Sequence, residues 1–238
     1  MLPNQAGRSV LYIAKRSMIC FVSWLLLLTP AWGDDKSKDE ETLRNASTVL
    51  NAMLESGNIP RDLLAKADCV VVLPGVKKFG FGVGGSGGRG PMSCRGGKNF
   101  GGDWSAPAMY SVGGASVGLQ IGGSSTDFVL LIMSQDGVNA LLQGKTALGT
   151  NASAAAGPTG ATTTSIGADI LTYGRAKGLF AGATLGGASL EADNDANKRL
   201  YDKPLTATEI LTENAVQATP GGQTLVSLLN SKMPEHSA

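Results

Sequence analysis

The chain is poor in the residue types from which most catalytic and metal sites are built. Its 238 residues include one histidine, His236, and three cysteines. Metal sites usually need several His, Cys, Asp or Glu at short spacing, and neither H-x-x-H nor C-x-x-C occurs. A Ser–His nucleophile would depend on that one histidine, which lies near the C-terminus. The sequence therefore predicts a protein that is not an enzyme and carries no metal or cofactor.

Aromatic residues are also scarce, at 5% of the chain, whereas glycine is abundant, with 33 residues. The glycines follow no G-X-Y period, which excludes a collagen-like structure. The core must be built from aliphatic residues and Met, and glycine allows backbones to approach closely where a side chain would block them. The length and the apolar content of 42% fit one globular domain.

The N-terminal residues have the pattern of a secretory signal. Three basic residues precede the apolar run Met18–Leu28, and Ala31-Trp32-Gly33 provides a cleavage site. The apolar run is shorter than the about 20 residues of a membrane-spanning helix, so a cleaved signal is favoured over an uncleaved anchor. We expect a signal peptide over 1–33, a charged flexible segment over 34–41, and export to the periplasm or cell envelope.

Removal of residues 1–33 changes the charge balance of the chain. The full chain has a net charge of +1, and the remainder has 17 bases and 19 acids, a net charge of −2. Nucleic-acid binders typically carry a basic excess, so no nucleic-acid partner is expected.

Two cysteines, Cys69 and Cys94, remain after this removal. In an oxidising compartment they could form one disulfide. Alternatively, they are two small buried hydrophobic residues on neighbouring strands. The sequence leaves both interpretations open.

The predicted mature chain begins with a helical period. Apolar residues recur on one face from Leu43 to Leu54, and Thr42 or Asp39 can cap this helix. A short second helix follows over Pro60–Ala67. We expect the apolar face of the first helix to pack on a sheet rather than lie on a membrane.

After these helices, alternating and β-branched residues predict many short strands separated by glycine-rich turns. The strongest strand signals are Cys69–Leu73 and Thr126–Met133. Pro74-Gly75 and Gly85–Gly90 are predicted as turns, the second with positive φ. The other predicted strands are 79–83, Met92–Arg95, Ala108–Val112, Ala115–Ile121, Lys145–Leu148, Ser153–Ala156, Ser165–Tyr173, Gly178–Leu185 and Ala188–Glu191.

Three further helices are predicted, over Gln135–Gln143, Leu205–Asn214 and Val226–Leu229. The second opens with Thr206 and Glu209 at the spacing of a capping box. The order of elements predicts an α+β, mainly antiparallel fold. We expect a single β-rich domain, sandwich- or barrel-like, with N-terminal helices packed on it and a C-terminal helix. It would cover 42–214, followed by a tail over 215–238.

Two short patterns imitate ligand sites without the necessary context. Gly85, Gly87 and Gly90 match G-x-G-x-x-G, but extended chain follows instead of the helix that would receive a pyrophosphate. The acidic stretch Asp193–Asn197 lacks the twelve-residue pattern of a calcium loop and is predicted to be a solvated turn.

Basic residues are grouped in the β-rich body. Five fall within 22 positions that contain no acid, and two more lie in Thr172–Phe180. Each base near an anionic membrane contributes about 1 kcal/mol. If the strands bring these residues together, they form a cationic patch; otherwise they are solvated strand ends and turns. They are Lys77, Lys78, Arg89, Arg95, Lys98, Arg175 and Lys177.

Four segments resemble the SYLF family, a lipid-binding domain also called the Ysc-type actin-binding domain. They are Ala65–Gly90, Trp104–Ser134, Gly144–Gly160 and Ile170–Asn197, within a match over roughly Ala46–Leu211. The resemblance implies phospholipid binding. Eukaryotic members are similar to a phosphatidylinositol-binding (phosphoinositide) module, and some bind or bundle actin filaments.

The resemblance also implies lipid contact through an amphipathic N-terminal helix and bases, here Thr42–Glu55, Lys66, Lys77 and Lys78. This helix begins with acids and has only Arg44 as a base on its polar face, which shifts weight to the bases on strands. An exported protein would not meet cytosolic actin, so actin is not expected as a partner. The expectation is a non-enzymatic module of the bacterial cell envelope that binds anionic phospholipid. A structural or adhesive protein acting through protein contacts is the alternative.

Overall fold

The computed structural model describes residues 32–148, 154–156, 169–176, 179–180, 185 and 187–237. For residues 32–34, 81–83, 98, 116–122, 154–156 and 179–180 it describes the backbone alone. Lys36–Ala238 form one compact unit, and Met1–Asp35 form another, of which only 32–35 are described. The predicted signal peptide therefore lies outside the described residues, except for Trp32 and Gly33.

The fold is α+β with a mainly antiparallel sheet, as the sequence predicts. Its described part holds N-terminal helices, one curled sheet of seven strands and a C-terminal helix. Each strand pair is antiparallel except β4 with β5. The elements are α1 (Trp32–Glu55), α2 (Arg61–Lys66), β1 (Cys69–Cys94), a 3-10 turn (Lys98–Phe100), β2 (Ala108–Ile132), α3 (Gln135–Gln143), β3 (Thr146–Ala147), β4 (Ala154–Ala156), β5 (Ile170–Ala176), β6 (Leu179–Phe180), β7 (Ala188–Ala192), α4 (Asn194–Tyr201), α5 (Ala207–Leu211) and α6 (Pro220–Lys232).

Two long strands replace the predicted series of short ones. β1 and β2 pair from Cys69 with Ile132 to Met92 with Ala108, and we call this pair the ribbon. The predicted turn at Pro74-Gly75 is wrong, because the ladder continues through it with a shift of register. The predicted turn at Gly85–Gly90 is also wrong. These glycines continue the ladder opposite β2 and do not have positive φ.

The ribbon folds back so that the two halves of β1 meet. A Cβ at Gly90 would overlap the carbonyl oxygen of Val72, and one at Gly88 would lie 2.9 Å from Val76 Cγ2. These glycines therefore allow close backbone approach and do not have unusual φ angles. This confirms the expectation that glycine in this chain lets backbones approach where a side chain would block them.

A disulfide joins the two ends of β1. Cys69 and Cys94 are bonded, with their Cα atoms 4.0 Å apart. Beside them, the Arg95 N–H donates to the carbonyl oxygen of Asp68 at 2.9 Å. The bond thus closes the fold-back at its base. Of the two interpretations that the sequence leaves open for these cysteines, the structure shows the disulfide.

Apolar clusters cover both faces of the sheet. One cluster includes Phe128 and Leu130 of β2 with residues of α3, α4 and α5. The other packs Val129 and Leu131 against the apolar face of α1 and against α6. This explains the continuous apolar run Cys69–Leu73, because such strands are buried on both faces. The predicted docking of the first helix on the sheet is confirmed.

Helix α1 begins ten residues earlier than predicted, at Trp32 instead of Thr42. The expected flexible segment 34–41 is helical, and Asp39 within it is 0% exposed. Its carboxylate pairs with Arg199 at 2.8 Å and with Arg89. The sequence shows a run of charges here, but the partners that hold it come from β1 and α4.

The acidic stretch near residue 195 is not the predicted solvated turn. Asp193 caps α4, its side chain accepting from the Ala196 N–H at 3.0 Å. Asn197 is 0% exposed and bonds both backbone groups of Met109, at 2.6 Å and 3.3 Å. A buried amide side chain thereby attaches α4 to β2.

The remaining helices follow the sequence closely. Helix α3 has the predicted bounds, and α5 carries the predicted capping box of Thr206 and Glu209. Helix α6 is longer than the predicted Val226–Leu229, because Pro220 begins it at a position that proline suits.

The fold-back predicts a sharp difference between two glycines of β1. Gly90→Ala should lower the free energy of unfolding by about 3 kcal/mol, because the new methyl group has no space beside Val72. Gly87→Ala should change it by only about 0.5 kcal/mol, since nothing lies within 4 Å of its Cβ position. Denaturant unfolding of the oxidised proteins measures both values. Equal losses would show that the two halves of β1 do not meet as described.

The buried carboxylate of Asp39 predicts a second difference. Asp39→Asn should destabilise the protein by about 3 kcal/mol, because it leaves Arg89 and Arg199 without their acidic partner. The matched control is Asp202→Asn, which breaks the exposed pair with Lys36 and should cost at most about 0.5 kcal/mol. Thermal unfolding compares the two. A larger loss for the Asp202 variant would refute the assignment of Asp39.

Candidate functional site

The basic residues predicted to form one cationic patch have very different surroundings. Arg95 is 7% exposed, and its guanidinium lies 4.6 Å from the centre of the Trp104 ring. It donates to the carbonyl oxygens of Ala67 at 3.2 Å and Pro234 at 2.5 Å. Burial lowers the pKa of Arg95, while Asp68 raises it. Arg95, predicted as a lipid ligand, therefore joins β1 to the C-terminal segment inside the protein.

Arg89 and Arg175 are both paired with acids. Arg89 pairs with the buried Asp39. Arg175 on β5 lies 3.0 Å from Asp127 on β2, and the other carboxylate oxygen of Asp127 accepts from the Gly75 N–H at 2.9 Å. Both arginines are partly buried and join separate elements through these ion pairs, and Arg89 shares Asp39 with Arg199.

Lys77 and Lys78 are adjacent in sequence but differ in exposure. Lys78 is half-buried, with its Nζ 5.7 Å from the centre of the Phe128 ring in the core. Burial lowers the pKa of Lys78. Lys77 is exposed, and its Nζ donates to the Ser125 Oγ at 3.1 Å on the facing strand. Of this pair, Lys77 is the one that presents its charge to solvent.

The other predicted bases do not join Lys77 among the described side chains. Lys66 is exposed in the last turn of α2, a different element. The backbone of Lys98 begins the 3-10 turn, and its side chain is outside the description. Lys177 lies outside the described residues altogether.

The strands of the ribbon around Lys77 contain one acid, Asp127, which is paired with Arg175. β1 contains no Asp or Glu, and neither does β2 before Asp127. The β2 residues that face Lys77, Lys78 and Phe79 are serines and a glycine. Few carboxylates therefore lie near the exposed ammonium of Lys77 that would pair with it or repel an anionic surface that it approaches.

Phe79 is the feature that sequence reasoning missed. It is 67% exposed, and it is the exposed large hydrophobic residue among the side chains that the structure describes. Its ring lies over Gly85, where an added Cβ would be 3.0 Å from Cζ. In the sequence, Phe79, Phe81 and Val83 alternate with glycines, which indicates a strand with one apolar face. The two lysines before Phe79 are the signal in the sequence that this end of the strand is exposed.

The single histidine lies in the C-terminal segment, which contacts the residues just before β1. The His236 Nε2 is 3.7 Å from an oxygen of Asp68, and the Ser237 N–H donates to the Ala65 carbonyl oxygen at 3.1 Å. Burial raises the pKa of Asp68, while the nearby His236 and Arg95 lower it. These contacts attach the end of the chain beside the disulfide.

The part of the chain that the structure describes also bears on two other kinds of site. No group of three or more His, Cys, Asp or Glu there is arranged to hold a metal ion. None of the helices described is both long and apolar enough to cross a membrane.

Comparison with known proteins identifies the family. A profile described as Ysc84, Las17-binding protein actin regulator, matches residues 113–232. An SH3 domain-containing protein of Schizosaccharomyces pombe is 37% identical over 74% of this chain and 41% of its own length. LAS seventeen-binding protein 3 of Saccharomyces cerevisiae is 33% identical over 73% of this chain and 39% of its own. The human SH3 domain-containing YSC84-like protein 1 is 33% identical over 74% and 52%.

These relatives are longer than the part that they share with this chain, which spans about half of their length or less. The profile nevertheless covers most of β2 and the described elements after it, up to the end of α6. The predicted family is therefore confirmed, and the chain belongs to the Ysc84 (SYLF) family.

Proposed function

We propose that the chain is a non-enzymatic binding module that contacts anionic phospholipid surfaces through the ribbon. The observation that carries this proposal is the exposed Lys77 on a ribbon whose strands contain no acid before Asp127. An ammonium contributes about 1 kcal/mol near an anionic membrane, so the contact is weak and sensitive to salt. Arg175 adds little to it, because Asp127 balances its charge, and Arg89 is held at the buried Asp39, which it shares with Arg199.

The helix-based mode of lipid contact that the family resemblance implies receives no support here. The apolar face of α1 is buried against the sheet, including Leu50 and Met53 at 0% exposure. Release of that face would expose the second apolar cluster to water at a large cost in free energy. The proposal therefore places the contact on the ribbon and leaves α1 docked.

We also propose that the chain acts in the cell envelope after export. The signal-like pattern of residues 1–33 supports export, and so does the disulfide, because such bonds persist in oxidising compartments. Intact-mass measurement of protein purified from the expressing cell tests this. A chain that begins at Asp34 is expected, and an intact N-terminus with reduced cysteines would contradict it.

A second candidate function is binding to a regulator of actin. The matching family is described as a Las17-binding actin regulator, and a yeast relative is named for binding the same partner. Pull-down with purified Las17 and with filamentous actin tests this candidate. Retention of either protein in the absence of lipid would favour it over the envelope proposal.

The lipid proposal predicts salt-sensitive binding to anionic vesicles. The oxidised protein should co-sediment with vesicles of phosphatidylglycerol and phosphatidylcholine, and not with phosphatidylcholine alone. Binding should weaken as salt rises from 50 to 500 mM, because salt screens the attraction between Lys77 and the anionic lipid. Absence of binding to every anionic lipid at low salt would refute the proposal.

A single lysine should account for much of the charge dependence. Lys77→Ala should weaken vesicle partitioning about fivefold at low salt, equivalent to about 1 kcal/mol. Lys198→Ala, which removes the same charge from an exposed position of α4, serves as the matched control and should have a much smaller effect. Equal losses would mean that the contact depends on overall charge and not on the ribbon.

A further inference from the structure

We infer that Phe79 is a membrane anchor that enters the bilayer when Lys77 contacts the lipid phosphates. This inference rests on the proposed lipid binding and adds to it a penetrating side chain. Single exposed apolar residues are common on protein surfaces, so exposure of Phe79 alone would not decide the matter. The neighbours of Phe79 and its place on the ribbon carry the inference.

The first neighbour is Lys77, two positions before Phe79 on the same strand. Exposure alternates along β1, with Lys77 and Phe79 exposed and Lys78 between them half-buried. Alternate residues of a strand project from the same face, about 7 Å apart. An ammonium and an aromatic ring therefore emerge side by side. This pairing suits a membrane interface, where a lysine stays at the level of the phosphates while apolar groups enter below it.

The second observation is the bareness of the surrounding backbone. Glycines occupy positions 80, 84, 85, 87 and 88 of β1, and Phe79 faces Gly123 of β2. The ring itself rests over Gly85. Among the described side chains, few therefore lie beside the Phe79 ring. Little there would cover the ring or keep a flat surface from touching it.

The third observation is the position of Phe79 along the ribbon. The ladder shifts register between Phe81 and Val83, where the ribbon bends, and the two halves of β1 lie together on either side of this bend. Neither apolar cluster includes a described side chain between 77 and 85. Phe79 thus lies near the bend and outside both clusters, and its exposure lets a surface reach it while α1 stays docked.

Charge favours a lipid surface over a second copy of the chain as the occupant. A symmetric dimer built on Phe79 would bring the two copies of Lys77 close together, because such contacts use the same patch twice. The strands of the ribbon offer no carboxylate before Asp127 to relieve that repulsion. An anionic bilayer supplies both the opposite charge and an apolar interior for the ring.

Fluorescence can locate the side chain directly. The full oxidised chain carrying Phe79→Trp is mixed with vesicles of phosphatidylglycerol and phosphatidylcholine, and the wild-type chain serves as the blank for its native tryptophans. We expect a blue shift of the added emission and quenching by lipids brominated on their acyl chains. Binding of the variant to vesicles with neither change would overturn the inference, while the proposed function would stand.

Affinity provides an independent test with a matched pair of substitutions. Phe79→Ala should weaken vesicle partitioning about tenfold, as expected for loss of one buried aromatic ring, and Phe79→Leu should retain most of the binding. The Phe79→Ala loss should persist in high salt, whereas the Lys77→Ala loss should disappear there. Thermal unfolding should be nearly the same for these variants, because the ring is 67% exposed.

The outcomes separate this inference from the function on which it rests. If the wild-type chain binds no anionic vesicle, the proposed function fails and the anchor fails with it. If the wild-type chain binds and Phe79→Ala binds equally well, only the anchor fails. If ultracentrifugation without lipid shows a dimer that Phe79→Ala abolishes, Phe79 serves self-association and the inference is overturned.

Discussion

The contact on which the structure depends is the close approach of the two halves of β1. Gly90 meets the carbonyl oxygen of Val72 with no space for a side chain, and the Cys69–Cys94 disulfide closes the same fold-back at its base. Because the ribbon folds here, its strands acquire two covered faces and an outer bend. The helices pack on those faces, and Phe79, near the bend, is exposed. Stability and the candidate binding surface therefore arise from one feature of the backbone.

Arginine and lysine have separate uses in this fold. Arg89, Arg95 and Arg175 lie partly or wholly inside, against carboxylates, carbonyl oxygens or an aromatic ring. A planar guanidinium with several fixed donors suits such enclosed positions. Lys77 instead carries a compact charge at the surface, where a flexible stem costs little. This division explains how a chain with a small net charge can still present a local cation beside an apolar ring.

Several elements could be predicted because their signals are local. The capping box of Thr206 and Glu209, the bounds of α3 and the apolar face of α1 each lie within about three helical turns. The wrong predictions involve partners that are distant in sequence. Asp39 and Arg199 are 160 positions apart, and Asn197 reaches across 88 positions to Met109. No pattern within a short window reports such pairs.

The sequence by itself determined the fold class, the family, the packing face of the first helix and the need for close approach at glycine. The family follows from resemblance over long segments of the chain. The other three follow from residue type and spacing, which act over a few positions. Only the tertiary structure decided that β1 and β2 are continuous, which arginines are balanced by acids and which side chains at the bend are exposed. Those properties depend on cross-strand register and on burial, and both are set by chain segments that meet only after folding. Phe79 illustrates the difference: its apolar character is visible in the sequence, but its exposure beside Lys77 is a property of the folded ribbon.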